Sequence, residues 1–250
     1  ASGLTAILIG LPLARVMVRR PQDLGLQVDG APHAPVPLQP GESSIMVNEP
    51  LRREFTATQA LRTKAFWYLA IGHGLALVVV TSVNVHAITH MKEGLGYTVS
   101  QAGFIIMLMT LGQLVGVLFG AWLGDRFAKR KIAAICMCSH ALGLVMLAYA
   151  PTVAWLLGFA AFHGVAWGLR GPLMQAIRAD YFGRNAIGMI MGLSAAIIAI
   201  GQIAGPMVAG VMADLNGDYQ WGFTVLAIAA TAGSLSFWMA RKPELSHPAP

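Results

Sequence analysis

Between Ile105 and Leu123 the chain runs nineteen residues without an ionisable side chain. A helix of that length can cross a hydrocarbon core of ~30 Å. Glycine recurs every fourth residue at Gly112, Gly116, Gly120 and Gly124, so the four lie along one ridge. In water each would weaken a helix by ~1 kcal/mol. In lipid they let a second helix approach closely, so the ridge reads as a packing face. The run then ends abruptly in Asp125-Arg126 and the basic group Lys129-Arg130-Lys131. Such a cluster beside a membrane helix marks the cytoplasmic side.

The rest of the chain repeats this physics. Of 250 residues, 56% are hydrophobic and only 11% charged, against about 25% charged in a soluble domain. The chain therefore reads as an all-α polytopic membrane protein. Its net charge of +6 does not point to nucleic acid, because the basic residues are spread over short loops between apolar runs. Cys136 and Cys138 sit inside an apolar run and read as packing residues.

Six full spans are predicted, at 66–90, 101–123, 132–150, 152–174, 186–212 and 221–240, each near the ~20 residues a crossing needs. Residues 1–14 are apolar but too short to span, and Arg15, Arg19 and Arg20 close them. They read as the inner end of a truncated helix. Five prolines fall between positions 31 and 50, a linker composition with little to bury. Thr56-Ala-Thr-Gln59 has capping-box spacing and predicts a short interfacial helix before the first span. The organisation expected is thus 1–20 helix end, 21–63 central linker, 64–242 six-helix bundle and 243–250 tail.

Alternating spans put fifteen of the seventeen Lys and Arg residues on one side, from Arg15 to Lys242. The other side carries Lys92, with Glu93, Asp214 and Asp218. That asymmetry sets linker and C-terminus in the cytoplasm. Trp167 is the tryptophan set well inside a span, which suggests that it faces protein or a cavity.

Asp125-Arg126-Phe-Ala-Lys129-Arg130-Lys131 resembles the loop signature of the major facilitator superfamily, with Ala121 and Ala128 where glycine is usual. Ala179-Asp-Tyr-Phe-Gly183-Arg184, Gly205-Pro206-x-x-x-Gly210-x-x-x-Asp214 and Arg20-Pro21-x-Asp23-x-Gly25 resemble its monocarboxylate transporter and oxalate/formate antiporter branch. The resemblance implies the end of helix 6, the central loop and helices 7–12 of a twelve-helix transporter in a bacterial inner membrane. An N-terminal six-helix half would be missing. Asp125, Arg126, Lys129 and Arg130 would then form a gating loop.

Ionisable groups within spans are functional candidates. His163, Trp167, Arg170 and Met174 share one face of the fourth span at helical spacing. Gly164, Gly168 and Gly171 form the adjacent face. His73 and Asn84 share a face of the first span, with Thr81 beside it. The resemblance implies that the first and fourth spans line a central cavity. Where oxalate-type members carry basic residues, this chain has Gln113 and Gln202. The expected substrate contacts are therefore Arg170, Trp167, His163, Asn84, His73, Gln113 and Gln202. The expected substrate is a small organic anion, with a coupled proton as a further partner. His140 reads as a hydrogen-bonded packing residue.

No metal or cofactor is expected, since no histidine pair has ligand spacing. A six-span enzyme would need an oriented base, and no acidic residue lies deep in a span to supply one. A receptor or assembly factor using the same helices for packing alone is the remaining alternative.

Overall fold

The computed structural model describes residues 55–183 and 186–244. The truncated helix at 1–20, the proline-rich part of the linker, Arg184 and residues 245–250 lie outside them. A short helix α1 (Ala57–Leu61) is followed by six long ones: α2 (Lys64–Thr89), α3 (Val99–Arg126), α4 (Lys129–Ala148), α5 (Val153–Phe182), α6 (Ile187–Asn216) and α7 (Gln220–Met239). All six are long and apolar enough to span a bilayer.

The helix starts follow local chemistry. Thr56 accepts from the amide of Gln59 and Gln59 returns the bond, the capping box expected for α1. Thr98 and Gln101 repeat it at the head of α3. α6 ends on Gly217 at φ +80°, whose amide donates to Ala213 at 2.8 Å, a left-handed stop that suits glycine.

One boundary departs from expectation. α5 runs eight residues beyond Met174, to Phe182. Nothing between Met174 and Gly183 breaks a helix, and Pro172 lies within it. Arg178, expected in a loop, therefore sits on α5 and is buried.

Sequence neighbours are not the main packing neighbours. α3 lies along α5, and α2 along α6; α4 joins α5, α7 joins α2, and α4 and α7 pack on each other. Association in lipid gains nothing from the hydrophobic effect, so close backbone approach must carry it. Two glycine seams supply that approach. A Cβ on Gly116 would strike the Val165 carbonyl, and one on Gly164 or Gly168 would strike the carbonyls of Met109 or Gln113. Across the α2–α6 seam, Gly201 abuts the Gly74 carbonyl and Gly205 that of Val78. Both seams use the same short motif, Gly112-Gln-Leu-Val-Gly116 on α3 and Gly201-Gln-Ile-Ala-Gly205 on α6.

Not every glycine within these helices is a contact. Gly171, Gly188 and Gly192 have nothing within 4 Å of where a Cβ would stand.

Pro206 inside α6 has no N–H to give the Gln202 carbonyl. The Thr81 hydroxyl on α2, whose one proton also faces the Leu77 carbonyl at 2.6 Å, reaches the Gln202 carbonyl at 3.1 Å. The freed acceptor is thereby satisfied in part, by a shared bond from the neighbouring helix.

Candidate functional site: a buried cationic cluster on the fifth long helix

Arg170 is 2% exposed, and its Nε and Nη1 are buried without a hydrogen-bond partner. It does not reach the protein surface, so snorkelling does not explain it within this bundle. Met174, one turn on, is equally buried, and Trp167 is half-buried against the core.

Arg178 lies two turns further along α5 and is also 2% exposed. Its Nη1 donates to the Met174 carbonyl at 2.9 Å, and its Nη2 lies 3.4 Å from His73 Nδ1 on α2. Since a guanidinium can only donate, His73 accepts at Nδ1. The cluster is thus two arginines and a histidine, built across α2 and α5.

No carboxylate balances it among the described residues. Glu93, Asp125, Asp180, Asp214, Asp218 and Glu244 all sit at helix ends or beyond them. The ion pairs found there are Lys92–Glu93 and Lys129–Asp180. A buried charge without a partner costs several kcal/mol, and within this bundle Arg170 bears that cost.

His163 packs against α4 instead of facing open space. It is fully buried, and its Nδ1 lies 3.1 Å from Nδ1 of His140 on α4. One ring donates and the other accepts, and both Nε2 atoms remain unpartnered. His140 is hydrogen-bonded, as its sequence setting suggested.

The other candidates are scattered. Asn84 and Gln202 are exposed, and Gln113 is half-buried. The backbone carbonyls of both glutamines are engaged, Gln113 against Gly168 and Gln202 with Thr81. On α2, Ser82 bonds Val78 and His86 Nε2 lies 3.0 Å from the Pro206 carbonyl; just past its end, His90 Nε2 lies 3.1 Å from the Leu147 carbonyl.

The loop residues divide into two groups. Lys129 pairs with Asp180 at 2.8 Å, and Arg130 donates to the Trp238 carbonyl at 2.6 Å. Asp125 and Arg126 are exposed, and the Arg126 guanidinium lies over the Trp122 ring at 4.4 Å. Because Asp180 is half-exposed, its ion pair should be worth at most ~1 kcal/mol. Asp180→Asn is expected to move the thermal midpoint by no more than ~4 °C. A larger fall in a melting curve would show that this pair holds α4 to α5.

At the opposite end, Glu93, Asp214, Asp218 and Tyr219 line a cleft of about 200 Å³. Burial first, then the nearby Glu93 and Asp214 carboxylates, push the Tyr219 phenol above its usual range. It stays neutral, with its ring 5.0 Å from that of His86.

Comparison with known proteins agrees with this architecture. The model of the Major Facilitator Superfamily matches residues 69–250. Monocarboxylate transporter 13 of Bos taurus is 28% identical over 153 residues, covering 60% of this chain and 35% of that protein. The benzoate transport protein of Acinetobacter baylyi is 21% identical over 205 residues, 80% of this chain and 42% of its own length. The niacin transporter of the same organism is 23% identical over 128 residues, 51% of this chain and 29% of its own. The chain thus spans well under half the length of these relatives. It is an integral membrane protein and belongs to the Major Facilitator Superfamily.

Proposed function

We propose, from that membership, that the chain forms the C-terminal six-helix half of a secondary transporter for a small organic anion. The carrying observation is Arg170, buried and unpartnered at two of its nitrogens. A carboxylate would supply the missing charge, and the planar guanidinium matches it bidentately. Arg178 extends the positive field along α5, and a neutral His73 on α2 accepts its hydrogen bond. Two relatives bear names that specify monocarboxylate and benzoate, which supports this substrate class.

In alternating access, two bundles rock about a site near the midplane. The glycine seams let α3–α5 and α2–α6 move as sealed pairs. Asp125 and Arg126, without an ion pair among the described residues, would brace the closed state against the second bundle. The basic end would face the cytoplasm, and a coupled proton or exchange would drive accumulation.

The test is uptake of benzoate and lactate by proteoliposomes holding the full-length protein. Arg170→Gln is expected to lose nearly all uptake, and Arg170→Lys most of it, since lysine cannot make the bidentate pair. Normal affinity and rate in Arg170→Gln would overturn the assignment. Saturable binding without flux in the unmodified protein would favour the receptor reading.

A further inference from the structure

We infer that the basic end of the α4–α7 seam binds the phosphate of an anionic phospholipid. This inference does not use Arg170 or the transport reading.

The seam is open on one side. Along α4, Lys131, Ile135, Cys138 and Leu142 are exposed at helical spacing, and Trp238 stands exposed on α7. Such a stripe is apolar for most of its length and turns cationic at one end. That is the polarity of a phospholipid.

The cationic end is organised. Arg130 donates to the Trp238 carbonyl at 2.6 Å, which fixes its guanidinium against the end of α7. The Lys131 ammonium lies 5.9 Å from the Trp238 ring. Arg241 and Lys242 follow directly. Their backbone is pinned by the Tyr181 hydroxyl donating to the Ala240 carbonyl at 2.7 Å, and by the Arg241 amide donating to Met239 at 2.8 Å. α4 begins here without a side-chain cap, so its positive dipole end adds to the field.

Little opposes that charge. Among the described residues, Asp180 is already paired with Lys129, which leaves Glu244, and Asp125 at the end of α3, against Arg130, Lys131, Arg241 and Lys242. Basic groups between helices at a membrane interface attract anionic headgroups. Trp238 has the amphipathic ring that settles at headgroup depth. A free phosphate would find the charge but gain nothing from the apolar stripe, so the lipid is the better ligand.

The experiment uses the full-length protein in phosphatidylcholine bilayers containing spin-labelled phosphatidylglycerol or spin-labelled phosphatidylcholine. Electron spin resonance reads the motionally restricted fraction of each. The protein is expected to prefer phosphatidylglycerol by roughly 5-fold, a modest return on several partly screened charges. Lys131→Gln/Arg241→Gln/Lys242→Gln should bring that preference close to 1. Lys92→Gln, at the other end, should leave it unchanged. If the triple variant fails to fold, Arg241→Gln/Lys242→Gln reads the same loss in part. An unchanged preference in the folded variant would overturn the site. Equal displacement of the labelled lipid by millimolar inorganic phosphate would overturn the lipid assignment in favour of a soluble anion.

Discussion

Gly168→Ala is expected to disrupt the bundle more than any other single methyl group. The added Cβ would lie on the Gln113 carbonyl oxygen, 2.8 Å from its carbon and 2.9 Å from the Val117 nitrogen. All three are backbone atoms of α3, so no rotamer change relieves the clash. The two helices must separate, and the contacts along the seam weaken together. Overpacking a core costs ~1–3 kcal/mol where side chains can yield; against backbone the upper end is expected, with poor assembly. Gly171→Ala supplies the control, because nothing lies within 4 Å of its new methyl. It should be neutral or slightly stabilising, by up to ~1 kcal/mol from helix propensity. Thermal unfolding in detergent compares the two. Equal midpoints would mean that the glycine seam does not hold α3 to α5.

Arg170→Met is expected to separate stability from function. The guanidinium is buried, and two of its nitrogens lack partners, so the folded bundle bears its desolvation cost. Replacing a buried charge by an apolar group of similar length is often neutral or stabilising by ~1–4 kcal/mol. The variant should melt at or above the parent temperature while losing benzoate and lactate uptake. That opposition is the usual mark of a residue kept for activity at the expense of stability. If uptake and midpoint fall together, Arg170 is a structural strut whose partner lies elsewhere in the full-length protein.

The spans were legible because each apolar run is long and ends in a cap or charge. The capping boxes at Thr56 and Thr98 and the ridge from Gly112 to Gly124 could be read directly. The length of α5 could not, because its last eight residues are polar enough to resemble a loop. The available signal was the absence of glycine or proline from Gln175 to Phe182, which should have placed Arg178 on the helix. His163 shows a different limit. Spacing put it on the Arg170 face, but a helix face is wide, and which neighbour fills it depends on tertiary packing. Here α4 supplies His140. Pairing of α3 with α5, rather than with α4, is likewise fixed only once the glycine faces of those two helices meet.

The hydroxyl of Thr81 on the Gln202 carbonyl has a mechanical consequence. At Pro206, α6 has lost an internal tie and gained ties to its neighbour, a shared one from Thr81 and another between His86 Nε2 and the Pro206 carbonyl at 3.0 Å. Any flexing of α6 at that point must carry α2 with it or break those ties in lipid, where no water replaces them. The proline is therefore less a loose joint than a coupling pin, and a bend in one helix becomes a displacement of two.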